Sequence, residues 1–257
     1  MKKIKKYIKN LKTLFLHREQ IALVKEEVGV ALGEVKFQFA SFGGADINYY
    51  LLQEKKRVGM LRLAIADHAD SDVAIVRFVK QKRLAKEYEA YSKGSQYGLT
   101  PKVLFASSDA LVCEYLEGKR AFDVVKDEKH RVWEVLFEAI EVYTKLHALG
   151  VTHLDATLKN FVVTSEGMKV IDFEYYPSEA LSLETQKAYD YVRIIEHTLR
   201  MIPKEEQEGY APLVAFLKQR VPSEVKDASF DLVYGWLKNI ENYPLYEALR
   251  KEVFTKL

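Results

Sequence analysis

The hydrophobic pattern of the chain changes period partway along, and this change constrains the fold more than any other feature. Between residues 33 and 115, short β-rich runs favour strands, with one helical segment over residues 73–93 among them. After Gly118 the apolar residues recur at helical spacing, most clearly over residues 133–149. The sequence therefore predicts an α+β fold in which a small N-terminal lobe, with a five-stranded antiparallel sheet and one main helix, precedes a mostly helical C-terminal lobe. We place the strands at residues 34–40, 47–53, 58–65, 101–105 and 110–115, the lobes at residues 28–116 and 117–257, and the linker near residues 114–118.

Composition narrows the class of protein. The 257 residues carry a formal net charge of +2, which gives no reason to expect a nucleic-acid partner. A single cysteine, Cys113, excludes an intrachain disulfide and a cysteine-based zinc cluster, and it favours a reducing, cytoplasmic setting. No apolar run approaches the roughly 18 to 20 residues that span a bilayer, and the start of the chain lacks the apolar region of a secretory signal. We therefore expect neither a membrane-spanning nor an exported protein.

The first residues form a separate basic segment. Residues 1–18 contain seven lysines and arginines and no acid, while Ile4, Ile8, Leu11 and Phe15 recur at helical spacing. This pattern predicts a basic amphipathic helix, which we assign to residues 1–27. Such a helix either contacts an anionic membrane surface, at the inner face of the membrane, or packs its apolar stripe on the body of the protein.

Polar residues of a chemically suggestive kind follow the helix over residues 133–149. Residues 153–160, HLDATLKN, fit the pattern H-x-D-x-x-x-x-N. A predicted hairpin follows, with runs at residues 161–163 and 169–173 joined by a turn at residues 164–167, and Asp172-Phe173-Glu174 closes it. The alternative is a plain helix-to-hairpin turn in which Asp155 and Asn160 only satisfy turn amides.

These residues resemble the protein-kinase-like superfamily, whose catalytic loop and metal-binding aspartate have this order and spacing. The run IDFEY over residues 171–175 is closer to choline and aminoglycoside phosphotransferases and to kinases of lipopolysaccharide core sugars than to protein kinases, which have glycine in place of Glu174. The resemblance implies a bilobal kinase-like fold and an enzyme that uses ATP and Mg²⁺.

The resemblance also implies a role for each residue of the loop. Asp155 would accept or orient the attacking hydroxyl, and Asn160 and Asp172 would hold the magnesium ion through oxygen ligands. His153 would be a structural brace. Lys159 either reaches the transferred phosphate or is an ordinary exposed lysine.

The N-terminal lobe has matching candidates for nucleotide binding. Gly43 and Gly44 stand where the family covers the phosphates with a hairpin, although a glycine pair alone is common in hairpins. Arg62 is the expected cation of the third strand and Glu87 its partner on the helix, with Lys80 as the alternative cation. The resemblance further implies that backbone groups of Glu114 and Leu116 contact the adenine edge.

The acceptor is suggested by what the chain lacks. No Ala-Pro-Glu motif and no long segment separates Glu174 from the next predicted helix. We place Asp190 at the start of that helix, where it either braces the loop or interacts with the helix dipole. The short segment favours a hydroxyl of a non-protein acceptor, such as a lipopolysaccharide-type sugar or a small alcohol. An atypical Ser/Thr protein kinase and a nucleotide-binding pseudokinase are the alternatives. An acidic acceptor cleft would indicate a cationic small molecule, and a basic cleft a phosphorylated glycolipid.

Overall fold

The computed structural model of the chain describes residues 10–42, 45–66, 70–71, 75–77, 80–202, 209–237 and 239–257. Two hydrophobic cores divide these residues. The smaller core lies between the first helix and a five-stranded sheet, and the larger one fills the helical remainder of the chain. This confirms the predicted α+β fold class, with its sheet-containing N-terminal lobe and helical C-terminal lobe.

The N-terminal sheet has five strands, which are β1 (Lys36–Phe42), β2 (Asp46–Gln53), β3 (Lys56–Ala64), β6 (Val103–Ala106) and β7 (Ala110–Glu114). It is antiparallel throughout, with the strand order β1-β2-β3-β7-β6. Alternation of buried and exposed residues along β2 and β3 turns Ile47, Leu51 and Leu61 into the core, as the period-two pattern predicts.

The first helix covers one face of this sheet. Helix α1 (Arg18–Leu32) buries Ile21, Val24 and Val28 in the smaller core, and it ends at Gly33, whose φ of 77° is readily adopted only by glycine. Residues 10–16 are also helical and precede α1. Of the stripe predicted for the N-terminal helix, Leu11 is 47% exposed and Phe15 67%, so these two side chains do not pack on the body of the protein. Ile4 and Ile8 lie outside the described residues.

The helix predicted over residues 73–93 begins later than expected. Two short strands, β4 (Asp70–Ser71) and β5 (Ile75–Arg77), precede helix α2 (Lys80–Gly94). Strand β5 pairs antiparallel with β11 (Tyr176–Pro177), about a hundred residues further along. The prediction was wrong at this end because a pairing partner so distant in sequence leaves no mark on the local hydrophobic period, whereas β-branched residues suit a strand.

The C-terminal lobe begins with a strand that the sequence did not predict. Strand β8 (Gly118–Arg120) follows directly on the linker and pairs with β9 (Phe161–Thr164), which forms the predicted hairpin with β10 (Gly167–Val170). A Cβ atom at Gly118 would lie 2.2 Å from the carbonyl oxygen of Val163, so only glycine lets the strands approach this closely.

Helices complete the C-terminal lobe around one long helix pair. Helix α4 (Val132–Ala148) packs against α5 (Leu183–Leu199), whose first turn is capped by the hydroxyl of Ser182 accepting from the Thr185 amide. The remaining helices are α3 (Ala121–Asp127), α6 (Tyr210–Arg220), α7 (Ser223–Lys226), α8 (Tyr234–Leu237) and α9 (Leu245–Glu252). Among the described residues, no helix combines the length and the apolar character needed to cross a bilayer.

Candidate active site

The loop between α4 and β9 is held from inside by a histidine. His153 is fully buried, and its Nδ1 accepts a hydrogen bond from the Asp155 amide at 3.2 Å. The proton must therefore sit on Nε2, which donates to the carbonyl oxygen of Ile171 at 2.9 Å. His153 thus ties the loop to the residue immediately before Asp172.

A buried carboxylate holds the same loop from the other side. Asp190 is completely buried and accepts the backbone amides of His153 and Leu154, both at 2.7 Å, and Nε2 of His147 at 3.1 Å. Leu154 has a positive φ of 67°, a conformation that costs energy for a branched residue and that these hydrogen bonds help to maintain. Asp190 lies in the middle of α5, not at a helix start, so the expected helix-dipole explanation is wrong and the bracing contacts account for it.

Asn160 positions Asp155. Its Nδ2 donates to the backbone carbonyl of Asp155 at 2.9 Å and to the Asp155 carboxylate at 3.1 Å. Both amide hydrogens are therefore directed at Asp155, and the side-chain oxygen of Asn160 is the atom that remains for a hard cation. The Asp155 side chain is partly exposed, so an acceptor molecule can reach it.

Asp172 stands next to this pair at the end of β10. The Ile171 amide donates to the Asn160 carbonyl at 2.9 Å, which sets the two predicted metal ligands on adjacent backbone segments. Asp172 has a positive φ of 75°, and its amide donates to the hydroxyl of Tyr91 at 3.0 Å. A strained aspartate beside a paired Asp155 and Asn160 is the kind of local cost that concentrates at functional sites.

Arg62 connects the two lobes at this point. Its Nη1 lies 3.0 Å from Glu87 Oε2, the predicted pairing, and its Nη2 lies 2.7 Å from Asp172 Oδ1. Burial alone would lower the pKa of Arg62, but the carboxylates of Glu87 and Asp172 outweigh it and raise that pKa well above its ordinary value. The guanidinium is therefore permanently charged and held by two acids. The side chain of Lys80, the alternative cation, lies outside the described side chains.

A cavity of about 490 Å³ extends from Arg62 to the linker between the lobes. Arg62, Glu87 and Asp172 line one end, and Glu114 and Leu116 line the other. The Glu114 amide donates a hydrogen bond to the Lys102 carbonyl at 2.9 Å, and the Tyr115 amide donates to the Val58 carbonyl at 3.0 Å. The other residues of the wall are Ala40, Ser41, Asn48, Tyr50, Met60, Tyr91, Pro101, Leu111, Cys113, Tyr115, Gly118, Arg120, Val162 and Ile171. The predicted Gly43 and Gly44 lie outside the described residues.

The linker end of the cavity carries an aromatic and cationic rim. The guanidinium of Arg57 lies 4.0 Å from the ring centre of Tyr50 and 5.4 Å from that of Tyr115, and its Nη1 donates to the Tyr115 hydroxyl at 3.0 Å. The carboxylate of Glu114 is bound to Nζ of Lys169 at 3.2 Å. The Glu114 side chain is thus occupied by an ion pair within the protein.

Sequence reasoning missed a second buried ion cluster behind the site. Arg83 on α2 binds both oxygens of Asp46 at 3.1 and 3.2 Å, and its Nη1 lies 3.7 Å from Glu174 Oε2. Lys86, one turn further along α2, donates to the Tyr175 carbonyl. Helix α2 therefore grips the segment that follows Asp172. The position of Asp46 at the start of a largely apolar strand is the one sequence signal for this ion cluster, because its partner Arg83 is 37 residues away.

Lys159 is exposed and lies apart from the cavity. Its Nζ is 5.3 Å from the ring centre of Phe122 on α3, and that ring is 6.1 Å from the ring of His197 on α5. Arg193 on α5 and Arg200, which follows the last residue of α5, both bind Glu196. No pattern in the sequence singles out these residues, since charged pairs at helical spacing are ordinary on helix surfaces.

Asn160 and Asp172 fit a magnesium site in which the protein supplies some of the ligands and the substrate supplies the others. Within the described part of the chain, no group of three or more His, Cys, Asp or Glu side chains could hold a metal ion. Asn160 and Asp172 offer two hard oxygen ligands, and magnesium is commonly held by one or two carboxylates together with substrate phosphates. The donor set is therefore suited to a metal that arrives with a nucleotide.

Comparison with known proteins finds similarity of fold and no similarity of sequence that would indicate a family. No family model and no curated protein sequence matches the chain. Two crystal structures of the PknI kinase domain of Mycobacterium tuberculosis align with 68% of this chain and with 76% and 78% of theirs, each at 15% sequence identity and a TM-score of 0.48. A likeness of this degree transfers no function, so the function has to be argued from the site.

Proposed function

We propose that the chain is an ATP- and Mg²⁺-dependent phosphotransferase that acts on a hydroxyl group of a non-protein acceptor. One observation carries the proposal: the hydrogen-bonded pair of Asp155 and Asn160 lies on the backbone segment next to Asp172, and Asp172 lines one end of the cavity together with the Arg62–Glu87 ion pair. A loose, highly anionic phosphoryl-transfer transition state needs this set of cations, oxygen ligands and a proton acceptor. A plain turn between helix and hairpin would need none of it.

The arrangement assigns a task to each end of the cavity. The backbone of Glu114 and Leu116 would contact the adenine edge, and Arg62 would contact the phosphates. Bound magnesium would neutralise charge on the phosphate oxygens. Asp155 would take the proton of the acceptor hydroxyl as its oxygen forms a bond to the γ-phosphorus, while the bond from that phosphorus to the bridging oxygen breaks and ADP leaves with the electron pair.

Arg62 has to change partners for this to happen. Its Nη2 binds Asp172 Oδ1, one of the two carboxylate oxygens that could coordinate a metal, while Nη1 is held by Glu87. Arriving phosphates can replace Asp172 as the anionic partner, since Glu87 still fixes the guanidinium in place. We therefore expect Arg62 to keep Glu87 and to release Asp172 when nucleotide binds.

The segment after Glu174 supports a non-protein acceptor. Strand β11 starts at Tyr176 and pairs with β5, and α5 begins at Leu183, so the connecting segment is short and tied to the N-terminal lobe. A long segment that could present a peptide has no place there. A lipopolysaccharide-type sugar or a small alcohol fits this better than a protein, and an atypical Ser/Thr protein kinase or a pseudokinase remains the alternative that experiment must remove.

We also propose that the N-terminal helix makes peripheral contact with an anionic membrane. Leu11, Phe15 and Leu16 are exposed on the helical residues 10–16, while Leu14 packs on the smaller core. Residues 1–18 carry no acid. Exposed apolar side chains on a basic helix are suited to the headgroup boundary of an anionic bilayer.

The test is ATP turnover by the purified chain with Mg²⁺, measured for the wild type, for Asp155→Asn and for the control Asp231→Asn, whose aspartate is exposed and far from the loop in sequence. The acceptors would be sugars, glycolipids, amino alcohols, aminoglycosides and a protein substrate. We expect acceptor-stimulated turnover that Asp155→Asn removes and Asp231→Asn retains. Nucleotide binding without turnover would instead establish a pseudokinase, and phosphorylation of the protein alone would establish a protein kinase.

A further inference from the structure

Three cationic side chains, Lys159, Arg193 and Arg200, lie around the neighbouring rings of Phe122 and His197, next to the catalytic loop. Lys159 leaves the loop and reaches the ring of Phe122, which in turn contacts the ring of His197. His197 lies on α5 between Arg193 and Arg200 in sequence. Three separate elements, the loop, α3 and the end of α5, thus bring these groups together.

The cluster has more positive than negative charge. Arg193 Nη1 lies 2.5 Å from Glu196 Oε2, and Arg200 Nη2 lies 3.3 Å from Glu196 Oε1. Glu196 is fully buried, so two guanidinium groups share one carboxylate. Lys159 has no acidic partner among the described residues. Each guanidinium has five donors, so several donors remain for a ligand, and the side chain of Arg200 is 51% exposed. The three cations outnumber the carboxylate of Glu196 by two charges, and the nearby carboxylate of Asp155 offsets part of this excess.

The cluster is electrostatically coupled to Asp155. Burial alone would lower the pKa of Arg193, and Tyr189, Glu196 and Asp155 together raise it. Burial and then the three cations lower the pKa of His197 to about 4, while Asp155 acts in the opposite direction. His197 is therefore neutral at neutral pH, and the cations lie close enough to the Asp155 carboxylate for each to feel the other's charge.

We infer that Lys159, Arg193 and Arg200 bind an anionic group of the acceptor, and that the acceptor is a phosphate-bearing alcohol. The inference rests on the proposed phosphotransferase function, since it places the acceptor at Asp155. An anionic phosphate group suits the positive excess of the cluster, and guanidinium groups bind phosphate with matched geometry. The ring of Phe122 provides an apolar surface for the rest of the acceptor.

The same charges argue against the cationic acceptors of related phosphotransferases. An amino alcohol or an aminoglycoside would place its ammonium groups beside three cations and a neutral histidine. Like charges at this range cost binding energy, whereas such substrates require carboxylates. Glu196 cannot serve, because it is buried and both of its oxygens are taken.

The first experiment uses inorganic phosphate as the probe and the His197 imidazole as the reporter. An anion bound by the cluster opposes the effect of the cations, so phosphate should raise the pKa of His197 followed by NMR in the full-length chain. Arg200→Ala should weaken this phosphate binding about tenfold, as expected for one lost charge-assisted contact. Lys145→Ala, which removes an exposed lysine on α4, should leave it unchanged. A His197 pKa that does not respond to phosphate would overturn the inference.

The second experiment compares a hexose, its phosphate monoester and vesicles that contain a phosphorylated glycolipid, with ATP turnover as the readout. We expect the phosphorylated members to stimulate turnover, Arg200→Ala to raise their KM about tenfold, and Lys145→Ala to leave KM, kcat and acceptor-independent ATP hydrolysis unchanged. Stimulation by the soluble ester or by the vesicles distinguishes a free phosphate from a lipid-borne one. Equal stimulation by the hexose and by its phosphate monoester would overturn the inference alone. Absence of ATP turnover with every acceptor would contradict the proposed function. The first experiment would still test phosphate binding near His197 independently of that result.

Discussion

The two sides of the catalytic loop differ in how far the carboxylates of the protein neutralise their cationic side chains. On the nucleotide side, Arg62 is mostly buried and is bound by two carboxylates of the protein, Glu87 and Asp172. On the side proposed for the acceptor, Arg193 and Arg200 share the single carboxylate of Glu196, Lys159 has no acidic partner among the described residues, and the side chains of Lys159 and Arg200 are well exposed. A cation that the protein neutralises by itself holds the site together, whereas cations left in excess are available to a ligand. The comparison predicts that mutations on the first side damage stability and that mutations on the second side damage recognition.

The largest expected effect is the loss of activity on substitution of Asp172, which lies on the proposed nucleotide side alone. Asp172→Ala should reduce transfer about a thousandfold or more, because it removes a ligand for the charge-neutralising metal. Arg62 would still be paired with Glu87, so the free energy of unfolding should change by about 1 kcal/mol at most. Steady-state turnover and thermal unfolding measure the two effects. Asp231→Ala is the control, and undiminished turnover in Asp172→Ala would remove the site assignment.

The stability half of the comparison is tested at Arg62. Arg62→Met leaves the carboxylate of Glu87 buried without its cation and should cost about 3–5 kcal/mol of unfolding free energy. Adding Glu87→Gln should recover much of this loss, because the buried charge is gone, while activity stays low. Arg200→Ala should change stability by less than about 1 kcal/mol. Equal destabilisation by Arg62→Met and Arg200→Ala in urea unfolding would erase the distinction between the two sides.

Asp190 supports both sides at once, because it holds the loop that lies between them. In Asp190→Asn the amide nitrogen would face one of the backbone N–H donors of His153 and Leu154, so one hydrogen bond becomes a clash of donors. We expect a loss of about 2–3 kcal/mol in unfolding free energy and a fall in kcat with little change in either KM. A selective rise in KM for ATP or for the acceptor would show that Asp190 serves one side only.

The pH dependence of stability reports on the acceptor side. Since the pKa of His197 is about 4 in the folded chain and lies near its ordinary value when unfolded, the unfolded state binds the proton first as pH falls. His197 therefore contributes a loss of stability between about pH 6.5 and pH 4, and His197→Gln should flatten this part of the curve. Arg200→Ala should raise the His197 pKa, since Arg200 helps to lower it. An unchanged His197 pKa in that variant would place Arg200 outside the cluster.

The smallest expected effect concerns the membrane, where a phosphorylated acceptor could be presented. Leu11→Ser combined with Phe15→Ser should weaken binding to anionic vesicles several-fold, and added salt should weaken binding of the wild type. Leu23→Ser is a matched control, because Leu23 is similarly exposed but lies on α1 near Glu19, Glu26 and Glu27. Equal loss in both proteins, measured by vesicle sedimentation, would contradict a specific role for residues 10–16.

Local signals account for what the sequence could predict. The strands of the N-terminal sheet, the hairpin of β9 and β10, and the α4 boundaries follow from period and turn residues that lie next to one another in the chain. The pairing of Arg62 with Glu87 was reached only through a family resemblance, and the additional contact with Asp172 joins residues 110 apart. No local pattern contains such a distance.

The misses have the same physical origin. The start of α2 was misplaced because β5 pairs with β11, about a hundred residues further along the chain, as well as with β4. Asp190 was misplaced at a helix start because its function is to accept amides of another element, which changes nothing in the helical period of α5. The basic cluster could not be found because Arg193, Glu196 and Arg200 look like ordinary helix-surface pairs until α3 and the loop are brought beside them.

Cys113 in the cavity wall has a consequence for pharmacology. It is a tempting anchor for an electrophilic inhibitor, since it is the chain's single cysteine and lines the cavity. Burial, with a smaller contribution from Glu87, raises the pKa of its thiol to about 12. Only about one molecule in 10⁵ would carry the reactive thiolate at neutral pH. An acrylamide warhead would therefore react too slowly to matter, and a selective drug for this cavity would have to rely on reversible contacts with the Arg57–Tyr115 rim.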